Sequence, residues 1–280
     1  MRIIKSVSEM QRICRELQSR ESMLGFVPTM GALHEGHLSL VRRARTECVV
    51  VAASIFVNPI QFGPGEDFAL YPRTFEEDCR QLEAEGVEIL FAPDAEEMYP
   101  DGAVTTVTVE GIGDRLDGAS RPGHFTGVAT VVAKLFHVVK PTRAYFGLKD
   151  AAQLAVLRQM VRDLNFEVEM VGCAIVRDAD GLALSSRNRY LSAEERGQAL
   201  VLHGTLLQIE RMIAVGERRS AVLVESGINN LRHAAGVRVD YLAIVDANTL
   251  LPVASVETGT LVAVAAYVGS TRLIDSFLAP

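Results

Sequence analysis

Only four cysteines occur in the 280 residues, Cys14, Cys48, Cys79 and Cys173, and no two of them form a Cys-x-x-Cys pair. That spread speaks against a disulfide frame or a cysteine zinc site and suits packed, reduced thiols. Long apolar runs are also missing. Residues 48–55 and 261–268 fall well short of the ~18 residues that a spanning helix needs, and residues 1–10 hold no apolar core of signal-peptide length. No membrane segment is therefore expected, and the chain reads as cytoplasmic. Positive charge is not in excess. A net charge of −7 argues against an extended nucleic-acid surface while leaving room for a small anion pocket. Neither an internal repeat nor a low-complexity tract is present. What remains is an ordinary globular composition, 49% hydrophobic and 22% charged, with length for one large domain or two smaller ones.

Residues 26–41 organise the rest: Phe-Val-Pro-Thr-Met-Gly-Ala-Leu-His-Glu-Gly-His-Leu-Ser-Leu-Val. A buried strand is expected over 23–27, with Pro28 stopping it because proline cannot donate to a ladder. Gly31 and Gly36 permit a turn, and Leu38, Val41 and Ala44 recur at helical spacing over 37–47. Strand, glycine loop and helix N-terminus together make a plausible anion site. His34 and His37 stand three apart there. Three readings are open: a metal pair, a pair of capping or surface histidines, and a pair donating to phosphate. The metal reading is weakened because the zinc-protease spacing is one residue longer and no third ligand is near.

Helix is expected over 7–19, a buried strand over 48–57, and a helix capped by Thr74 and Glu77 up to about residue 85. Residues 87–91 return as strand. This βαβα order predicts a Rossmann-like, doubly wound parallel sheet, with ligands at the carboxyl ends of its strands, where residues 28–37 and 58–61 would lie. A valine and threonine strand is expected over 104–110. From Thr126 a wide apolar helical face runs to Val139 and closes at Pro141. A short strand over 144–146 leads through Gly147, Leu148, Lys149 and Asp150 into a helix to about residue 164, again an anion-site pattern, although the Walker spacing is absent. Strand is expected over 167–176. A polar loop over 185–189 follows, readable as a solvated connector or as a functional loop. Then come a helix capped by Ser192 and Glu195 over 193–215, another over 220–234, and two β-rich runs over 237–245 and 259–268. The expected domains are 1–175 and a smaller α+β domain over 176–280.

Six motifs in order carry a close resemblance to the pantothenate synthetase, or pantoate–β-alanine ligase, family. They are Pro-Thr-Met-Gly-Ala-Leu-His-Glu-Gly-His from Pro28, Phe-Val-Asn-Pro-Ile-Gln-Phe from Phe56, Tyr-Pro-Arg from Tyr71, Arg-Pro-Gly-His-Phe from Arg121, Tyr-Phe-Gly-Leu-Lys-Asp from Tyr145, and Asp-Gly-Leu-Ala-Leu-Ser-Ser-Arg-Asn from Asp180. The resemblance covers essentially the first 190 residues and favours the phosphate reading of His34 and His37. It implies a nucleotidylyltransferase-type Rossmann fold in which His34-Glu-Gly-His37 is the signature and the Ser185–Asn188 loop stands in for the mobile loop of class I aminoacyl-tRNA synthetases. It also implies the reaction: (R)-pantoate joined to β-alanine with ATP and Mg²⁺, through a pantoyl adenylate, releasing AMP and pyrophosphate.

The site residues that the resemblance implies are these. ATP would be met by Met30, Gly31, Ala32, Leu33, His34, Glu35, Gly36 and His37, by Gly147, Leu148, Lys149 and Asp150, by Val176, and by Leu184, Ser185, Ser186 and Arg187. Catalysis would rest on His37 as proton donor with His34, Lys149 and Arg187. Gln61 and Gln153 would hold pantoate, and Gln61 also β-alanine, since an amide both donates and accepts. No metal ligand is implied. Pro28, Met30, Phe62, Val128 and Val132 suit an apolar wall for pantoate's methyls, although Val128 and Val132 suit plain core packing equally. Residues 62–68 would be a lid that excludes water from the labile adenylate, and Arg121 and His124 would touch that intermediate. Ala152 stands where many relatives place a second glutamine, and Leu184 where methionine is frequent. The family is dimeric, so a homodimer is expected, with 104–110 available to pair at its interface. Two other classes compete: a non-catalytic nucleotide-binding module on the same fold, and a synthetase-like or dinucleotide-forming transferase.

Overall fold

A computed structural model describes residues 1–18 and 22–280. The chain divides into two compact units, one of Met1–Gly147 with Val156–Cys173 and the other of Leu148–Ala155 with Ala174–Pro280. In chain order the elements up to Cys173 are β1 (Arg2–Ile4), α1 (Val7–Gln18), β2 (Leu24–Thr29), α2 (Glu35–Glu47), β3 (Val50–Ile55), α3 (Phe75–Ala84), β4 (Ile89–Phe91), α4 (Ala95–Met98), α5 (Asp117–Ser120), α6 (His124–Val139), β5 (Arg143–Gly147), α7 (Ala151–Asp163) and β6 (Glu169–Cys173). Residue 19, expected to end the first helix, lies outside the described residues.

Among the described residues of the first unit, six strands form one sheet in the order β1-β4-β3-β2-β5-β6, every pairing parallel. The chain builds outward from β2 through β3 to β4, then adds β5 on the other flank of β2. The order therefore reverses between β2 and β5, and the loops after their carboxyl ends open at that switch point. Helix α2 seats Leu40, Val41 and Ala44 against Val27, Val51 and Leu90, with Leu82 of α3 in the same cluster. The four middle residues of β3 are fully enclosed, as its uninterrupted apolar run implies.

Three expectations change here. Pro28 does not end its strand, because β2 continues to Thr29 with Pro28 opposite Ser54. The Leu24 carbonyl accepts from Thr142 on the β5 side, and the two-residue alternation turns the Pro28 nitrogen to that same side, past the last β2–β5 pair at Phe26 and Ala144. No ladder hydrogen bond is lost. Residues 104–110 form no strand: the segment is mostly exposed, and the Val107 amide goes to the Thr130 hydroxyl instead. Thr74 does not cap α3 with its side chain. Its hydroxyl donates to Asp78 Oδ1 at 3.2 Å.

In the second unit, α8 (Ala193–Ala214) and α9 (Ser220–Arg232) precede β7 (Val237–Val245), β8 (Leu261–Val268) and β9 (Thr271–Leu278). The three strands are antiparallel in the order β7-β8-β9. Ser192 and Glu195 form the expected reciprocal cap on α8. Leu202, Leu206 and Ile209 of α8 and Leu223 of α9 share a core with Val262 and Val264 of β8. β9 was not among the expected strands.

Candidate active site

The first unit assembles the histidine loop at the end of β2. Gly31 adopts φ +79° and Ala32 φ +52°, so two successive left-handed residues turn the chain out of the strand. His34 is then the N-cap of α2. The Gly36 amide donates to His34 Nδ1 at 3.1 Å, and the His34 amide donates to His37 Nδ1 at 3.3 Å. A nitrogen that accepts carries no proton, so each neutral ring holds its proton on Nε2 and offers it there as a donor. The ring centroids lie 4.1 Å apart. Capping and phosphate donation are thus compatible, because each uses a different nitrogen. Glu35 directs its carboxylate to Arg42, which holds it below the usual carboxylate range. Leu33 and Ala32 are buried, so their side chains belong to the core.

Gln61 follows β3 on a turn over Pro59–Gln61 and is buried. Its amide is oriented by a chain of bonds. Tyr99 donates to Asn58 Oδ1 at 2.8 Å, Asn58 Nδ2 donates to Gln61 Oε1 at 3.0 Å and to the Gly127 carbonyl at 3.1 Å, and Gln61 Nε2 lies 3.0 Å from Met30 Sδ. Burial pushes the Tyr99 phenol up, which keeps it a donor. The Gln61 backbone is held as well: His124 Nδ1 is 2.8 Å from its carbonyl, and Arg121 Nη1 is 2.9 Å from His124 Nε2. Arg121 in turn grips Glu66 through two bonds of 2.8 and 2.6 Å and holds its carboxyl down at about 2. Phe62 meets Phe68 and Tyr71 edge-on at 5.3 and 6.0 Å. Val128 and Val132 are buried on α6.

The first unit also holds Gly147, and the second carries Leu148, Lys149, Asp150, Gln153, Val176 and Leu184 to Arg187. The Leu148 carbonyl accepts from Ser276 Oγ of β9 at 2.9 Å, which anchors the turn bearing Lys149 and Asp150. Arg177 reaches the neighbouring β9 residue, with bonds of 2.6 and 2.9 Å to the two oxygens of buried Asp275. A short hairpin follows, in which the Leu184 amide donates to the Val176 carbonyl at 3.0 Å and Asp178 to Leu182 at 2.9 Å. Val176 and Leu184 are thereby brought together. Ser185 caps the turn over Ser186–Tyr190 by accepting from the Arg187 amide at 3.2 Å. The polar loop is therefore a capped turn rather than an open connector. Ala152 is buried, and Gln153 beside it is half-buried.

Sequence reasoning missed Asp78, Tyr99, Asp275 and Ser276. Each acts on a residue far along the chain, and no local pattern marks it.

A family described as pantoate-beta-alanine ligase matches residues 2–278. The chain belongs to that family. It is similar to the pantothenate synthetases of Acidobacterium capsulatum, 59% identical over 99% of this chain and 97% of that one, and of Koribacter versatilis, 55% identical over 99% and 96%. The crystal structure of pantothenate synthetase from Thermus thermophilus superposes with a TM-score of 0.95 at 51% identity, covering all of both chains. Pantoate-beta-alanine ligase from Francisella tularensis, solved in complex with β-γ ATP and β-alanine, gives a TM-score of 0.81 at 33% identity, over 99% of this chain and 97% of that one. This family member is accordingly a ligase that condenses pantoate with β-alanine at the expense of ATP.

Proposed function

We propose that the reaction proceeds in two steps with the following residues in named roles. Pantoate's carboxylate oxygen attacks the α-phosphorus of ATP, the bond to the β-phosphate oxygen breaks, and pyrophosphate leaves. The amine of β-alanine then attacks the acyl carbon of pantoyl adenylate, AMP departs with the bonding pair, and the nitrogen loses a proton. Charge builds on phosphate oxygens in the first step, so donors fixed beforehand do most of the protein's part. His34 and His37 are those donors, with His37 giving its Nε2 proton; Lys149, Ser185, Ser186 and Arg187 serve the same phosphates. The observation that carries this reading is the pair of Nδ1 atoms engaged by backbone amides, which leaves Nε2–H as the donor on both rings.

Met30 to His37, Gly147 to Asp150, Val176 and Leu184 to Arg187 form the ATP-binding set in this reading. Gln61 and Gln153 hold pantoate, and Gln61 also meets β-alanine. The amide of Gln61, fixed by Asn58 and set against the Met30 thioether, supports that role. Mg²⁺ enters as part of the nucleotide substrate. Among the described residues no three His, Cys, Asp or Glu side chains are grouped to hold a metal, so the residues present do not fit an ion caged by protein. No helix among them is long and apolar enough to cross a membrane, and a cytoplasmic enzyme is proposed. A homodimer is proposed too, supported by the exposed, β-branched segment over 104–109, where Val104 is 90% exposed.

Exchange of labelled pyrophosphate into ATP tests the order of steps. Pantoate alone should support exchange, and replacing His37 with alanine should lower it by about 10²–10³, the usual loss for a positioned donor. Exchange that strictly required β-alanine would overturn the sequence of steps, and a wild-type rate in His37→Ala would remove that ring from the chemistry.

A further inference from the structure

Asp78 is 1% exposed. It sits in the first turn of α3, 45 residues from the histidine loop, and its two carboxylate oxygens are divided between consecutive amides of that loop. Oδ2 accepts from Ala32 N–H at 2.9 Å, and Oδ1 accepts from Leu33 N–H at 2.9 Å. Thr74, one turn earlier, donates its hydroxyl to Oδ1, and the Asp78 amide donates to the Thr74 carbonyl at 2.9 Å. The carboxylate is therefore itself fixed.

The loop needs such an anchor. Ala32 holds a left-handed backbone that an L-residue with a Cβ disfavours, so it persists only where the surroundings determine it. Gly31 before it is left-handed as well, and a Cβ there would lie 3.0 Å from Asp78 Oδ2 and 3.1 Å from Ile55 Cγ2. Glycine thus lets the carboxylate approach close enough to take the next two amides. Two N–H groups turned to one side by left-handed residues form a small anion-binding concavity. Here an internal anion fills it, so those amides point inward to α3, and the loop enters α2 at His34 with one geometry.

We propose that Asp78 is a positioning residue for adenylation: it sets the backbone path that aims the Nε2 donors of His34 and His37, and it does so before nucleotide binds. The inference rests on the phosphate reading of the two histidines. It differs from a purely structural role in what it predicts, because in that reading residues 31–37 serve ATP whereas Gln61 serves pantoate.

Asp78→Asn keeps the shape of the side chain but sets an NH₂ donor against one of the two amides, which turns that bond into a clash of donors. The KM for ATP should rise, and single-turnover adenylation should fall, by about 10- to 100-fold, the range expected when a remote change misplaces catalytic groups by an ångström. The KM for pantoate should stay within about twofold, since Gln61 is held by other residues. Hydrogen exchange at the Ala32 and Leu33 amides should accelerate, with α2 beyond its first turn unchanged. Where Asp78→Asn gives no folded protein, Thr74→Val is measured in the same way, with a rise of about threefold in the ATP KM expected from one lost hydrogen bond. An unchanged ATP KM and unchanged amide protection in the folded variant would overturn the inference. His37→Ala is run beside it. Impaired adenylation in His37→Ala with wild-type behaviour in Asp78→Asn would overturn the role of Asp78 alone, whereas wild-type adenylation in both would overturn the histidine reading itself.

Discussion

At His124 the guanidinium of Arg121 donates to Nε2, so the ring proton sits on Nδ1 and goes to the Gln61 carbonyl. His34 and His37 carry theirs on the opposite nitrogen, because the backbone occupies Nδ1. The tautomer of each ring thus follows from what its neighbours offer, and one unit holds both kinds. Burial first, and then the positive charge of Arg121, push His124 down from 6.5 to about 4. Between those values the unfolded chain takes up a proton that the folded ring refuses, so stability is complete above 6.5 and falls as the pH drops toward 4. The full loss from this group is about 3 kcal/mol at a cost of 1.36 kcal/mol per pH unit. Glu66 acts in a lower window: its carboxyl is held down by Arg121, and its contribution is present above 4.5 and lost as the pH falls toward 2. Urea unfolding between about pH 7 and pH 5 should therefore separate the histidines from Glu66, with His203, which burial also pushes below 6.5, contributing in the same window. His124→Gln should be less stable at neutral pH yet lose less on acidification; an unchanged pH slope would assign the loss to another group.

Helix α6 approaches the Pro59–Gln61 turn so closely that only glycine fits between them. A Cβ on Gly127 would lie 2.4 Å from the Ile60 carbonyl oxygen and 2.5 Å from Gln61 Cα. Both neighbours are backbone, so no side chain can rotate away. Gly127→Ala should destabilise the first unit by about 1–3 kcal/mol, as overpacking does, and should raise the KM for pantoate more than that for ATP. Chemical denaturation with steady-state kinetics checks this, and a shift confined to ATP would separate Gln61 from pantoate. Such contacts are invisible along the sequence, whereas the elements themselves were largely readable. A continuous β-branched run marked β3, a β-rich run marked β7, helical spacing marked α2 and α6, and Ser192 with Glu195 marked the start of α8. The misreadings have separate causes. Thr74 turned to Asp78 instead of capping, the 104–110 run found no strand to pair with among the described residues, and β9 hid because Asp275 and Ser276 interrupt its apolar alternation for bonds made elsewhere. His34 and His37 were legible as candidates because they follow a strand and a glycine loop, and Gln61 and Gln153 were named through the family resemblance. Their supports were not.

For the molecule as a whole, the exposed 104–109 segment is the surface from which a homodimer is proposed. It is mostly exposed, and its valines and threonines suit a strand built across two copies. Sedimentation should give a species of about twice the 30.5 kDa chain mass, and Thr106→Pro, which removes an amide from the run while leaving the Val107 bond to Thr130 in place, should weaken it. A single 30.5 kDa species at micromolar concentration would overturn the dimer. Within the second unit, both loops assigned to ATP are tied to adjacent residues of one strand, Leu148 to Ser276 across 128 positions and Arg177 to Asp275 across 98. A ribosome adding about 5–20 residues each second needs on the order of ten seconds to bridge the longer gap. During synthesis the sheet of the first unit can close while the lysine turn is still untethered. A nascent chain can therefore hold a finished histidine loop well before the Leu148 and Arg177 turns are anchored, and under the proposed mechanism the capacity to activate pantoate arrives with the making of β9.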